Sequence, residues 1–253
     1  MADDGPVISE VVTVRTFGEL ESVGPVHLPC SVEGMAPAEF WFRLFILPPQ
    51  ARYTAMGLGM PETVEGEGPL VRISSACVWS HIFGSLHCDC GAQLEMAKAE
   101  IAREGAGLLI YCHDQHGKGI GLRNHFLVYA EGQRRGHELV VDAYEQLGFK
   151  EDYRSYDDVA RILGHLRIGR CRLLTNNPAR VRALESSGIA VTRVPLVVKM
   201  TPLNESELRV KKARLGHLIE TLEDSEGATR QGTGSEIEVG AKCGQPIREA
   251  RHA

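Results

Sequence analysis

The 253-residue chain lacks several features that would place it in a specialised class. It has no apolar run of about 20 residues, which a membrane-spanning helix requires. Its 28 Lys and Arg fall short of its 33 Asp and Glu, so an overall positive charge typical of nucleic-acid-binding proteins is missing. Aromatic residues make up only 6%, yet hydrophobic residues reach 43%, as in ordinary globular proteins. We therefore predict a globular protein with neither a membrane nor a nucleic-acid partner.

Cysteine is also scarce: seven residues, an odd number, are too few for a disulfide scaffold. The first residues, MADDGPVISE, lack the basic and apolar regions of a signal peptide. These two observations predict reduced thiols and a cytoplasmic location. The question that follows is which of the seven cysteines carry chemistry.

Hydrophobic patterning predicts the secondary structure. Short apolar runs broken by glycine and proline predict strands over residues 11–75. Further on, apolar runs alternate with segments of helical periodicity, which favours a mainly parallel sheet covered by helices. The predicted helices span 93–103, 122–133, 155–163, 178–187 and 206–222, and the predicted strands span 107–111, 171–175 and 190–198. The fold class is thus α/β (α+β): one mixed sheet with a strand-rich first half and an alternating β/α second half.

Composition also predicts the domain limits. Residues 1–10 are predicted to form a mobile lead. Residues 223–253, which include Cys243, contain few large apolar side chains, so they cannot bury enough surface to offset their ordering entropy and are predicted to be disordered. One folded domain over residues 11–222 remains.

Three of the cysteines are spaced as metal ligands. Cys77, Cys88 and Cys90 lie within fourteen residues, and three thiolates suit zinc with a fourth position open for water, as in catalytic sites. Two alternatives stay open: ordinary core packing, and a closed structural site with His81 or His87 as fourth ligand. Three other cysteines lie in apolar strand-like segments and are predicted to pack in the core: Cys30, Cys112 and Cys171.

Two turns could hold an anion. The glycine-rich segment Gly117–Gly121 follows a predicted strand and precedes a helix, where free backbone N–H groups favour negative charge. The segment Thr175–Pro178 is a second strand-to-helix turn, with Arg180 close behind, although a simple helix N-cap explains it equally well. The basic segment Arg209–Arg214 is interpreted as a solvated helix face or as a wall of the site.

Five motifs together resemble the GTP cyclohydrolase II family over about residues 70–220. They are HIFGSLHCDCGAQL (81–94), QHGKGIGL (115–122), EQLGF (145–149), LLTNNPARV (173–181) and KKARLGHL (211–218). The resemblance implies a GTP cyclohydrolase II-like fold and a hydrolase that opens the imidazole ring of GTP. It further implies release of formate and pyrophosphate, with a diaminopyrimidine nucleotide left for riboflavin synthesis. The expected cofactors are one Zn²⁺ per subunit and Mg²⁺ on the substrate phosphates, and the expected assembly is a homodimer.

The resemblance also assigns residues. It implies zinc ligation by the three clustered cysteines, Cys77, Cys88 and Cys90. Asp152 matches an acid/base aspartate, Arg154 an arginine proposed to attack the α-phosphate, and Tyr129 a tyrosine assigned to ring opening. The substrate-binding positions that it implies are Arg72, Gln93, His116, Gly117, Lys118, Thr175 and Arg180.

The chain departs from the family pattern around the base-reading positions. Ser74 and Ala76 stand where the family has histidine and glutamate, and His116 stands where it has glutamate. A carboxylate can accept the paired N–H donors of a guanine edge, which alanine cannot. Two further hypotheses therefore stand beside GTP hydrolysis: a ring-opening hydrolase of another purine or pyrimidine nucleotide, and a non-catalytic nucleotide-binding protein.

Overall fold

The computed structural model describes residues 13–135 and 140–219. Residues 13–58 form an antiparallel meander of four strands, in which each strand pairs with the next. These strands are β1 (Thr13–Phe17), β2 (Leu20–Cys30), β3 (Ala38–Leu47) and β4 (Ala51–Leu58). The predicted strand-rich first half is confirmed.

The second part adds four strands that run parallel to one another. They are β5 (Leu70–Ser75), β6 (Gly107–Cys112), β7 (Arg170–Leu174) and β8 (Ala190–Val194). β4 joins the two halves by pairing antiparallel with β6, and the sheet order is β1-β2-β3-β4-β6-β5-β7-β8. The predicted mixed sheet of an α/β fold is therefore confirmed.

Seven α-helices accompany the sheet in the described part of the chain. They are α1 (Val78–His81), α2 (Cys90–Glu104), α3 (Leu122–Arg134), α4 (Val140–Gln146), α5 (Asp157–His165), α6 (Pro178–Ser186) and α7 (Glu205–Leu215). None of them is both long and apolar enough to cross a membrane.

Apolar side chains alternate between the two faces of the sheet, because successive strand residues point in opposite directions. Leu108 and Ile110 of β6 pack with α5 and α6 in one core, whereas Leu109 packs with α2 in a second core on the other face. At roughly 1.5–3 kcal/mol for each large buried side chain, these two cores supply most of the driving force for folding. The sheet is thereby fixed as a rigid platform whose strand ends position the site.

Some elements differ from the sequence-based predictions. β8 ends at Val194 and not at residue 198, and α7 ends at Leu215, where Gly216 adopts a left-handed φ of 63°. The helix α4, which begins at Val140, was not among the predicted helices. α1 was not predicted, because four residues carry too little periodicity to be recognised. The predicted lead (1–10) and the predicted tail (223–253) lie outside the described residues.

Candidate active site

One pocket lies at the carboxyl edge of the parallel strands. β5 ends just before Cys77, β6 leads into the glycine-rich turn, and β7 leads into α6. Parallel strands bring their carboxyl ends to the same edge, which is where α/β proteins bind ligands. Consequently, residues that are far apart in sequence line a common pocket.

The three clustered thiols meet in this pocket. The Sγ atoms of Cys77, Cys88 and Cys90 all lie within 4.8 Å of one another, and those of Cys77 and Cys88 are 3.8 Å apart. The contact with Cys77 raises the pKa of the Cys88 thiol to about 11, against an opposing effect of Cys90 and reinforced by burial. Three thiols held this close are a ready set of ligands, since a bound cation would favour their ionised form. The cluster can hold a metal ion.

The two candidate histidine ligands are engaged elsewhere. His81 Nδ1 lies 3.0 Å from the Tyr111 hydroxyl, and its Nε2 lies 3.2 Å from the carbonyl oxygen of Cys90. His87 Nδ1 lies 3.5 Å from the Tyr129 hydroxyl. Among the described residues, the metal-binding group consists of the three cysteines alone, so the arrangement favours an open site over a closed structural one.

A network of charges lies beside the thiols. Arg72, only 4% exposed, donates to the carbonyl of Leu174 at 3.0 Å and to Gln93 Oε1 at 2.5 Å. Asp89, between the two cysteines of the CDC motif, is paired with Lys211 of α7 at 2.7 Å. Burial alone would raise the pKa of Asp89, but Lys211 and Arg72 hold it below its ordinary value. The carboxylate is therefore ionised at neutral pH.

Arg154 and Asp152 form a second, partly buried ion pair. Arg154 Nε donates to Asp152 Oδ1 at 2.9 Å, and Arg154 Nη2 donates to Oδ2 at 2.5 Å. Burial opposes the charge of Arg154, but Tyr156 and Asp152 outweigh it and raise the pKa of the guanidinium. In turn, Arg154 outweighs burial at the carboxyl and lowers the pKa of Asp152. Arg154 thus faces the pocket as a permanently charged, oriented donor.

Ser75 links the arginines of the pocket. Its hydroxyl donates to Gln115 Oε1 at 2.8 Å and receives long contacts from Arg154 Nη1 at 3.5 Å and Arg180 Nη2 at 3.4 Å. Gln115 is itself anchored through a 2.9 Å bond from its Nε2 to the carbonyl of Ser155. The hydroxyl at the end of β5 therefore fixes the spacing of two cationic side chains.

This linkage gives a first testable prediction. We expect Ser75→Ala to reduce kcat/KM about 10-fold through loss of arginine positioning, since each hydroxyl contact contributes roughly 1 kcal/mol. The thermal midpoint should shift by no more than a few degrees, as measured by calorimetry alongside steady-state kinetics. Ser187→Ala, which removes an exposed hydroxyl that donates to the carbonyl of Ala183 in α6, is the matched control and should leave kcat/KM unchanged.

The glycine-rich turn adopts strained backbone geometry beside the pocket. Gly117 and Lys118 have left-handed φ values of 54° and 55°, and a Cβ on Gly117 would lie 2.8 Å from His125 Cγ. Glycine is therefore required at 117. The turn directs Lys118 over the ring of Tyr144, with Nζ 5.0 Å from the ring centroid. Burial lowers the pKa of Lys118 and Glu207 opposes this effect, so a further anion beside the amine would stabilise its charged form.

An aromatic wall faces the thiols. The rings of Trp79 and Tyr129 lie 5.3 Å apart, and His125 packs edge-on against Tyr129 at 5.2 Å. Burial raises the pKa of Tyr129, so its phenol stays protonated and can donate a hydrogen bond. Burial, and then His116, lower the pKa of His125 to about 4, which leaves that imidazole neutral at pH 7.

The low pKa of His125 predicts a pH dependence of stability. Between pH 6.5 and pH 4 the unfolded chain binds a proton at this residue and the folded chain does not, so stability falls as the pH is lowered through that range. We expect His125→Gln to remove up to ~3 kcal/mol of this dependence, measured by urea unfolding at a series of pH values. His27→Gln, at an exposed position, should leave the dependence as in the unchanged protein.

Ten of the predicted site residues line this pocket together, and three do not. The lining includes Cys77, Cys88, Cys90, Arg72, Gln93, Gly117, Lys118, Tyr129, Arg154 and Arg180. Asp152 lies behind Arg154 as its ion-pair partner. Thr175 is fully buried, and its hydroxyl accepts a 3.1 Å bond from the backbone of Asn177, so it shapes the turn before α6. His116 lies beside the pocket with a buried, unpartnered Nδ1.

Sequence reasoning assigned no individual role to several lining residues. Glu207, Lys211 and His217 come from α7 and the segment after it. The KKARLGHL motif signalled this region, but its mixture of basic residues also fits a solvated face. In the structure Lys211 is almost fully covered, whereas the neighbouring Arg209 is 72% exposed. Gln115 opens the QHGKGIGL motif, but the sequence assigned it no role.

The fold and the pocket define an α/β protein that combines a cluster of three thiols with a wall of cationic side chains. Comparison with known proteins specifies the class further. The GTP cyclohydrolase II family model matches residues 49–195. The GTP cyclohydrolase-2 of Azotobacter vinelandii is 43% identical over 183 residues, which cover 72% of this chain and 85% of the relative. The GTP cyclohydrolase-2 of Buchnera aphidicola is 46% identical over 151 residues, 59% of this chain and 76% of the relative.

A longer relative matches through only part of its length. The riboflavin biosynthesis protein RibBA of Aquifex aeolicus is 42% identical over 165 residues, which cover 65% of this chain and 40% of that protein. The chain therefore spans less than half of this relative. The chain belongs to the GTP cyclohydrolase II family.

Proposed function

We propose that this protein is a zinc-dependent hydrolase that opens the imidazole ring of GTP and releases formate and pyrophosphate. The observation that carries the proposal is the placement of three thiols and five cationic side chains around one pocket. The thiol cluster would bind a metal ion, and the cationic side chains would neutralise the negative charge of a triphosphate. The names of the relatives, GTP cyclohydrolase-2 and RibBA, point to the same chemistry and to riboflavin biosynthesis.

The thiol cluster fits zinc by its donor set. Cys77, Cys88 and Cys90 would hold the ion, and sulfur-rich sites favour zinc among the abundant divalent cations. When bound, zinc supplies activation of water at neutral pH. Asp89, held between two of these ligands by Lys211 and Gln93, orients the segment that carries them. Such outer contacts support a metal site because they fix the direction of its ligands.

The cationic side chains fit the phosphates. Arg72, Arg180 and Lys118 face the pocket and form no ion pair with any described carboxylate, so an anionic ligand would supply their missing partner. Arg72 and Arg180 also carry buried Nε donors without a partner. We propose that these three groups bind the triphosphate together with Mg²⁺, which offsets its remaining charge.

Arg154 is proposed to act on the α-phosphate as a charged donor. Nucleophilic attack by its guanidinium would require Asp152 to take a proton from it first. The pair opposes that transfer, because the pKa of Asp152 is lowered while the pKa of Arg154 is raised. A protonated guanidinium stabilises charge that develops on phosphate oxygens. Tyr129, protonated and facing the thiols, is proposed to donate its proton during ring opening.

A second candidate is hydrolysis of a nucleotide with another base. The lining residue Ala76 has no acceptor for a guanine edge, and His116 has a buried Nδ1 without a partner beside the pocket. The two lining carboxylates, Asp89 and Glu207, both pair with Lys211, at 2.7 Å and 3.5 Å. A site built for a different edge would discriminate strongly, since an unpaired buried polar group is costly.

One experiment separates the candidates. Zinc-loaded protein is incubated with Mg²⁺ and a panel of purine and pyrimidine nucleoside mono-, di- and triphosphates, and absorbance, formate and pyrophosphate are followed. GTP hydrolysis predicts equal release of formate and pyrophosphate from GTP alone. Turnover of another nucleotide supports the second candidate. Thermal stabilisation by nucleotides without any turnover would support a non-catalytic binding protein instead.

We further propose a catalytic domain over residues 11–222, a homodimeric assembly and a cytoplasmic location. The reduced thiol cluster supports the location, because free thiols persist in reducing compartments. Sedimentation with and without zinc tests the assembly.

A further inference from the structure

A second cavity lies away from the active site, on the sheet face that carries α5. Trp41, Arg43 and Phe45 occupy every second position of β3, so their side chains all point to this face of the sheet. Trp41 pairs with Gly57 of β4, near the amino end of β6, whereas the active site lies at the carboxyl end. The two cavities share no lining residue. The volume of about 510 Å³ is in the range of small-ligand pockets.

The cavity is rich in positive charge. Arg15, Arg43 and Arg167 line it from three separate segments, with Glu62 as the one carboxylate among the described lining residues. None of these arginines forms an ion pair with a described carboxylate. A chain of net charge −5 has thus gathered three unpaired arginines around one concave surface. A cavity lined by one sign of charge concentrates the opposite ion.

Arg43 is the one partly buried arginine of the three, since Arg15 and Arg167 are exposed. Its Nε is buried without a hydrogen-bond partner, although the neighbouring Trp41 Nε1 is satisfied by the carbonyl of Gly59 at 3.0 Å. Burial, and then the nearby Arg15, lower the pKa of Arg43, and Glu62 offsets this only in part. Burial, Arg43 and Arg15 likewise lower the pKa of His165 at the end of α5. The crowding costs free energy that an anionic ligand would recover.

We propose that this cavity binds a small phosphorylated anion with at least two phosphate groups, at a site separate from the catalytic pocket. Arg43 would supply the central donor, and Arg15 and Arg167 would contact further phosphate oxygens. Arginine matches phosphate geometry through its planar set of N–H donors. The ring of Trp41 would border the ligand, so its fluorescence reports occupancy.

Trp41 allows binding to be measured without catalysis. The chain has two tryptophans, and the other, Trp79, lies in the active-site wall. In full-length Trp79→Phe protein, Trp41 fluorescence is followed during titration with orthophosphate, pyrophosphate and ATP at constant ionic strength. We expect a saturable change with pyrophosphate and ATP at concentrations at least 10-fold lower than with orthophosphate. Because the fluorescence readout does not involve turnover, its result tests this cavity independently of the proposed function.

Variants assign the signal to one cavity. Arg43→Gln should weaken binding about 10-fold or more, through loss of a charge-assisted hydrogen bond, and Arg15→Gln, at an exposed position that tolerates substitution, should weaken it several-fold. Arg180→Gln in the catalytic pocket and the exposed Arg123→Gln should leave the titration unchanged. The proposal is overturned if no saturable change occurs, if orthophosphate and pyrophosphate act alike, or if Arg180→Gln abolishes a signal that Arg43→Gln preserves.

Discussion

Cys88→Ser is expected to abolish stoichiometric zinc binding and to reduce ring opening by at least ~10³-fold, or about 4 kcal/mol in the activation barrier. Serine is a poor zinc ligand, and the two remaining thiols leave the ion with an incomplete donor set. Zinc content by mass spectrometry and formate release are measured on the same preparation. Both quantities should fall together.

Cys30→Ser provides the matched control. Cys30 ends β2, outside the pocket, where it packs partly buried against the second core and its thiol donates to the carbonyl of Leu28 at 3.7 Å. This variant should keep one zinc per chain and full activity. Ring opening that persists in Cys88→Ser, or zinc that is lost equally from both variants, would contradict the assignment of the thiol cluster.

Asp152→Asn is expected to have the second largest effect. It leaves the guanidinium of Arg154, whose side chain is only 11% exposed, without its carboxylate partner. Breaking such a pair costs roughly 3–5 kcal/mol of stability. Activity should also fall by at least ~10²-fold, because Arg154 loses both its orientation and its bidentate anchor. Urea unfolding and steady-state kinetics measure the two effects.

The stability loss in Asp152→Asn should depend on pH in a defined direction. The carboxyl has a lowered pKa in the folded protein, so its contribution is fully present above the unfolded pKa of about 4 and disappears as the pH falls through the folded value. The difference between the two proteins should therefore be largest near pH 7 and vanish in strong acid. Asp114→Asn removes a comparable but exposed pair with Arg52 and should cost less than ~1 kcal/mol. Equal losses in the two variants would show that Asp152 is an ordinary surface acid.

The sequence predicted the mixed sheet because apolar alternation and helical periodicity act locally. The thiol cluster was equally accessible, since Cys77, Cys88 and Cys90 lie in one short segment. By contrast, Lys211 could not be assigned from local pattern, because its partner Asp89 lies 122 residues earlier in the chain. Only folding shows which face of α7 is covered.

The roles assigned to Asp152 and Tyr129 came from family resemblance. The pKa shifts of these two side chains depend on burial and on neighbouring charges, which a linear pattern does not contain. The arginine-lined cavity was likewise invisible in the sequence. Arg15, Arg43 and Arg167 are far apart along the chain and belong to two strands and a turn. Their approach depends on strand register and on where α5 ends, neither of which follows from composition.

The pairing of Asp89 with Lys211 has a consequence for how the protein is made. At synthesis rates of about 5–20 residues per second, the 122 residues between them take roughly 6–25 s to appear. The segment that carries Asp89 and the cysteines is therefore synthesised well before Lys211, which later pairs with Asp89. A nascent chain therefore presents its thiols and a free carboxylate to metal ions first, and α7 docks over them last.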